Sequence, residues 1–233
     1  GQPCPEGFYC MKGVTAPDPC PLGTWSNSTG LTTENECQDC TPGMYCNGTG
    51  LDYPSGPCAP QYYCSGKATI PTPNDGGTTG DPCTIGHYCP EGTPDPIPCA
   101  DGYYMGVTHA DACTICTAGY YCTNQVTPVD CPAGFYCPEG TGPVWQSCPS
   151  GTFSPTTGLE NETQCIQCTA GDYCSAPNAI AVTGPCDAGY FCTEGSDMAT
   201  PDTGFSGTAG ACPPGYFCPS GSGVPVPCPA GTY

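Results

Sequence analysis

Twenty-five cysteines, two histidines and 21 carboxylates are the residues that could do chemistry in this chain of 233. Cys37-x-x-Cys40, Cys113-x-x-Cys116 and Cys165-x-x-Cys168 have the spacing of zinc ligands or of a redox dithiol. A zinc site would need a second such pair or paired histidines, and His87 and His109 stand alone. A thioredoxin-type dithiol would need a βαβ setting, which the sequence lacks. Each pair instead lies inside a cysteine frame that continues for dozens of residues, so the expected chemistry is disulfide formation. His87 fills an aromatic slot ahead of Tyr88 and Cys89, and His109 has no nucleophile placed beside it by a recognisable elbow. The acids are scattered, with no Asp-x-Asp-x-Asp-Gly ladder for calcium. A carboxylate pair for glycoside hydrolysis would need a rigid cleft that small modules in a line rarely provide. The chain is therefore expected not to be an enzyme, and to carry no catalytic, cofactor-binding or metal-ligating residue.

Modification is better signposted. Asn27-Ser28-Thr29, Asn47-Gly48-Thr49 and Asn161-Glu162-Thr163 are acceptor sequons for N-linked glycans. Prolines alternate in Ile70–Pro73, Thr93–Pro98 and Val224–Pro227, favouring local polyproline II. In a plant or algal protein they would be candidates for hydroxylation and O-glycosylation. N-linked and possible O-linked glycans are the only non-protein groups expected.

The elements that must position these groups repeat at two scales. The small unit is Cys-Pro-x-Gly-aromatic-aromatic-Cys, as in Cys4–Cys10, and its opening is expected to make a type I turn with Gly in the fourth place. A very short extended segment should follow. Its spacing of cysteine, glycine and two aromatic or large residues before the closing cysteine recurs from Cys40, Cys83, Cys116, Cys131, Cys168, Cys186 and Cys212, and from Cys58 with Gln61 in the glycine's place, where a different turn is expected. Neighbouring rings in an extended segment point to opposite faces. One would then cover its own disulfide and the other the junction to the next unit, the alternative being an exposed stacking platform. A second unit lacks the middle cysteine: Cys20-Pro21-Leu22-Gly23-Thr24-Trp25-Ser26, then Cys37 and Cys40. It returns from Cys148 to Cys165 and, shortened, from Cys99 to Cys113. Joining Cys20 to Cys37, Cys99 to Cys113 and Cys148 to Cys165 would tie off these units, while spacing leaves the other pairings open.

The large unit is a duplication. Cys4, Cys20, Cys37, Cys58, Cys83 and Cys99 recur as Cys131, Cys148, Cys165, Cys186, Cys212 and Cys228. This divides the chain into a first super-repeat at 1–127 and a second at 128–233. The first holds 14 cysteines and the second 11, so one partner is expected beyond Tyr233. The sequons do not repeat: Asn27 aligns with Pro155, Asn47 with Ser175 and Asn161 with Thr33. Ser65–Asp81 and Thr193–Gly210 are longer than neighbouring gaps and are expected to be flexible or glycan-bearing loops.

Leu, Ile, Val and Phe number 24 of 233, too few for an ordinary core. Cysteine above a tenth of the chain offsets that shortage, because cross-links replace the missing interior and imply an oxidising compartment. Gly and Pro together number 65, which excludes long helices. A net charge of −19, with only Lys12 and Lys67 as cations, argues against nucleic acid and anionic membranes as partners. No apolar run approaches the ~20 residues of a membrane span, so no direct membrane insertion by this segment is expected. The absence of a signal peptide at Gly1 fits a mature chain or an internal fragment.

Cys-Pro-x-Gly-Thr-aromatic-Ser, Gly-Leu, Cys-x-x-Cys and Gly-aromatic-aromatic-Cys resemble the ephrin-receptor-like cysteine-rich repeats. Those repeats occur in large extracellular proteins of animals, algae and other protists, including flagellar-hair (mastigoneme) and surface proteins. The resemblance spans nearly the whole chain and implies a small disulfide-rich fold. Tandem EGF-like or TNF-receptor-like cysteine-rich modules, with short β-hairpins and loops and little or no helix, would stack into an extended rod. It implies no shared active site. The expected role is a structural extracellular glycoprotein segment, forming or coating a flagellar hair or cell-surface fibre with copies of itself or other filament subunits. The alternatives are the stalk of a cell-surface receptor or adhesin, and a carbohydrate-binding repeat.

Overall fold

The computed structural model describes residues 2–202 and 209–231. Among them lie twelve two-stranded sheets and two single-turn 3₁₀ helices, Glu34–Glu36 and Glu162–Gln164, with no α-helix. The sheets are minimal: Phe8–Tyr9 pairs with Asp18–Pro19, with Phe8 opposite Pro19 and Tyr9 opposite Asp18. The two residues before the closing cysteine of each small unit form the first strand, and the residues just before the next unit's cysteine form the second. An isolated two-stranded hairpin is marginal in water, so each must be held from outside.

The turn that launches each hairpin differs from the type I expectation. The Phe8 amide donates to the Pro5 carbonyl at 3.2 Å, which puts Gly7 third in the turn, at φ 77°. A left-handed third residue is the type II arrangement, which glycine adopts without steric cost. The Cys58 unit also departs from expectation, because its turn is the same as the rest. Gln61 takes φ 77°, and the Tyr62 amide still donates to the Ala59 carbonyl at 3.2 Å. The surrounding hydrogen bonds impose the conformation on a residue that disfavours it.

Half-cystines make up the interior, most of them fully buried, with few aliphatic side chains among them. Leu31 packs with Cys20 and Cys37 under Tyr9, and Leu159 packs with Cys148 and Cys165 under Tyr136. Ala68 packs with Cys58 and Cys64 under Tyr45. Ala68 lies in Ser65–Asp81 and is 0% exposed, so that stretch is docked into the fold at this point and is not a free linker there. Its tip is shaped by Asp75, whose carboxylate accepts from the Thr79 amide at 3.0 Å and the Thr79 hydroxyl at 2.7 Å. In the counterpart Thr193–Gly210, residues 203–208 lie outside the described residues.

The chain divides into two compact units: Gly1–Thr114 with Asn124–Thr127, and Ile115–Thr123 with Pro128–Tyr233.

Candidate functional site

The most repeated feature of the molecule is the junction between consecutive hairpins, and main-chain atoms form it. In the first unit, the Gly43 amide donates to the Cys64 carbonyl at 2.8 Å, and the Cys58 amide donates to the Gly43 carbonyl at 2.9 Å. The Cys46 amide reaches Ala68 at 2.8 Å, and the Lys67 amide returns to Cys40 at 3.2 Å. In the second unit the same four bonds run Gly171 to Cys192, Cys186 to Gly171, Cys174 to Ser196 and Gly195 to Cys168, at 2.8–2.9 Å. Side-chain identity hardly matters to such a junction; backbone clearance does. A Cβ on Gly43 would stand 2.3 Å from the Gly92 carbonyl oxygen, and one on Gly134 would stand 2.2 Å from that of Asn178.

Each loop contributes a second left-handed residue where it docks on the hairpin before it. Gly50, Gly92 and Gly195 take this role, but Lys67 (φ 55°), His109 (φ 60°), Gln125 (φ 57°) and Asn178 (φ 59°) do so as well. Sequence reasoning missed this position because four unrelated side chains interrupt its glycine signal.

Covalent clamps lock what the hydrogen bonds align. Nine disulfides span six residues within the small unit, as in Cys4–Cys10. Three span the larger loops and join Cys20 to Cys37, Cys99 to Cys113 and Cys148 to Cys165. The three Cys-x-x-Cys pairs are thereby split between different disulfides: Cys37 pairs with Cys20, while Cys40 pairs with Cys46. Where the middle cysteine is absent, Ser26 and Ser154 stand in its place, each 1% exposed. The Ser26 hydroxyl accepts from the Ser28 amide at 3.2 Å, and that of Ser154 donates to the Thr156 carbonyl at 3.1 Å. Cys228 stands outside any disulfide among the described residues.

The second ring of a doublet covers the following junction. Tyr9 bridges to Leu31 and Tyr136 to Leu159, each over the next hairpin's disulfide. The phenol of Tyr9 is pushed above its ordinary value by desolvation and by the nearby Glu34 and Asp18 carboxylates. Tyr63 is shifted the same way by desolvation and by Asp81, Asp95 and Asp75. A capping carboxylate marks the loop over Leu31: Glu36 accepts from the Thr32 amide at 2.6 Å and from the Thr33 amide at 3.4 Å. Those donors hold its pKa below the usual carboxylate range. The second copy carries a neutral replacement, Gln164, whose Oε1 accepts from the Glu160 amide at 2.6 Å.

All three sequon asparagines are exposed. Asn27 follows the strand Thr24–Trp25. Asn47 lies at a hairpin end, where its Oδ1 accepts from the Ser55 hydroxyl at 2.8 Å. Asn161 precedes a 3₁₀ turn, and its Oδ1 accepts from the Thr163 amide at 3.1 Å and from the Thr163 hydroxyl of its own sequon.

Among the described residues no three His, Cys, Asp or Glu side chains group to hold a metal ion. His87 Nδ1 lies 3.1 Å from the Ile85 carbonyl and 3.3 Å from the Thr84 hydroxyl, and His109 meets Tyr62 edge-on at 5.4 Å. An open depression of about 310 Å³ is lined by Tyr88, Pro98, Ala100, Tyr103, Ala112 and Cys113. No helix among the described residues is long and apolar enough to cross a membrane.

These features define a class: a tandem array of disulfide-clamped hairpins suited to an oxidising compartment. No protein-family model matches the chain. Part of it is 34% identical over 103 residues to ABC transporter G family member 28 of Arabidopsis thaliana, covering 44% of this chain and 8% of that protein. Part is 30% identical over 106 residues to putative white-brown complex homolog protein 30 of Arabidopsis thaliana, covering 42% of this chain and 9% of that protein. ABC transporter G family member 25 of Oryza sativa subsp. japonica is 32% identical over 121 residues, 48% of this chain and 10% of that protein. The chain thus matches a tenth or less of the length of each of these relatives.

Proposed function

We propose that this chain is a non-catalytic structural segment of an extracellular glycoprotein, one that forms or coats a filament such as a flagellar hair or cell-surface fibre. The observation that carries the reading is the repeated junction, with the same four main-chain bonds in both copies and a disulfide beside each. Repeat proteins built this way draw stability from neighbour contacts and tolerate almost any outward-facing side chain. Chemistry is then left to what the array holds apart or encloses, and partners are copies of the chain or other subunits of the same fibre. Glycans at Asn27, Asn47 and Asn161 would coat the array, and its acidic surface would keep it apart from anionic membranes. Electron microscopy of the native complete protein tests the reading. Filaments or surface fibres decorated by an antibody to this segment are expected; soluble, monodisperse molecules would overturn it.

A second reading, the stalk or ectodomain segment of a larger cell-surface protein, is favoured by one observation. The similar segments occupy a small fraction of long proteins, two of them named as transporters. A membrane span elsewhere in the complete reading frame, with the native protein retained in the membrane fraction, would select it over the filament.

A further inference from the structure

The two copies differ at one place in a correlated way. In the first, the Ser26 amide donates to the Leu51 carbonyl at 2.9 Å, which seats the loop after Asn47 beside the strand Thr24–Trp25. The rings of Trp25 and Tyr53 stack there, with centroids 6.1 Å apart and planes at 21°. Tyr53 is 61% exposed, whereas Trp25 is half-buried, with its indole N–H buried and without a protein partner. Asn27 lies two residues beyond Trp25 and is exposed, giving Trp25-Ser26-Asn27-Ser28-Thr29. The second copy keeps the backbone bond, from the Ser154 amide to the Ala179 carbonyl at 2.9 Å. There Trp25 becomes Phe153, Tyr53 becomes Ala181 and Asn27 becomes Pro155. The exposed ring and the sequon are absent together from an otherwise equivalent junction.

A residue and its second neighbour share a face of an extended chain. A glycan at Asn27 would therefore leave the backbone on the side of the Trp25 ring. The first sugar of an N-linked glycan carries a face of C–H groups, which packs on aromatic rings as other apolar surface does. We propose that the N-linked glycan at Asn27 lies with its first sugar across the Trp25–Tyr53 pair, covering rings that the second copy does without. This rests on the glycoprotein reading above and adds to it a built platform for one particular glycan. The Asn27 glycan is then part of the first copy's junction as well as its coat.

The test uses the complete chain secreted from a eukaryotic host, with Trp145→Phe so that Trp25 alone fluoresces. Peptide mass spectrometry reports occupancy of Asn27, and acrylamide quenching reports exposure of Trp25. Three forms are compared: intact glycan, glycan trimmed to its first sugar, and Thr29→Ala, which abolishes the sequon but keeps Asn27. The quenching constant should stay level on trimming and roughly double in Thr29→Ala, as half-covered rings become open to solvent. In Tyr53→Ala the protection given by the sugar should shrink. Occupied Asn27 with equal quenching in all three forms would overturn the packing and leave the glycoprotein reading intact. Unoccupied Asn27 would overturn both at this site. Protection of the Thr29→Ala chain by added N,N′-diacetylchitobiose would also contradict the proposal, because it would mark the pair as a site for sugars of other molecules.

Discussion

Single residues set this structure through backbone conformation more than through side-chain packing. Gly43 is left-handed at φ 84° and faces the Gly92 carbonyl with no room for a Cβ. Gly43→Ala should therefore cost about 3 kcal/mol, combining left-handed strain with displacement of the next loop. Faster amide exchange at Cys58, whose N–H donates to Gly43, would report it. Gln61 is the converse, since a glycine there would remove strain at some entropic cost. Gln61→Gly should stabilise by about 0.5–1 kcal/mol, read as slower exchange at Cys83. Glu36 adds a pH dependence that its counterpart lacks. Its pKa is lowered in the fold, so its contribution is present above the ordinary carboxylate pKa and is lost as pH falls through the lowered value. The Thr33 amide should shift on acidification and the Asn161 amide, bonded to neutral Gln164, should not. Proton NMR across that range distinguishes the two, and Glu36→Gln should abolish the difference.

At the scale of elements, hairpin and clamp are interdependent. Each sheet is too short to persist alone; a six-residue disulfide such as Cys4–Cys10 ties the turn that carries a hairpin's first strand, and a longer one such as Cys20–Cys37 closes the loop between the strands. In the loop-entropy account, the larger Cys20–Cys37 loop is worth about 3 kcal/mol and a six-residue link about 2 kcal/mol. Replacing Cys20 and Cys37 together by Ala should release the loop carrying Leu31 and uncover Tyr9, while the Cys40–Cys46 link forms as before. Non-reducing peptide mapping with amide exchange checks both parts.

Much of this scale is legible in the sequence. Doublet spacing marks the first strands, and the Gly-Pro content excludes long helices. The turn lies one residue from its expected place because Pro second and Gly fourth from the cysteine suit a type I turn as well. Only the hydrogen bond from Phe8 to Pro5 separates the two. The docking of Ser65–Asp81 is hidden for a different reason. What buries that loop is the small Ala68 and its carbonyl, and neither leaves a pattern of apolar side chains.

Over the whole molecule, the duplication is legible because cysteine positions tolerate almost no drift. The junction is not, because it is written in main-chain atoms. A chain stabilised by neighbour contacts should lose structure piecewise. Stepwise addition of reductant should open disulfides in several resolved stages by mass, where a chain with one central core would collapse in a single step. The charge of −19 should make any association between copies strengthen as salt rises, since screening weakens their repulsion. Imaging the native complete protein with an antibody against this segment decides whether such arrays build extracellular structure, as proposed above. Regularly spaced label along filaments or surface fibres is the predicted result, and label confined to soluble, monodisperse molecules would contradict it.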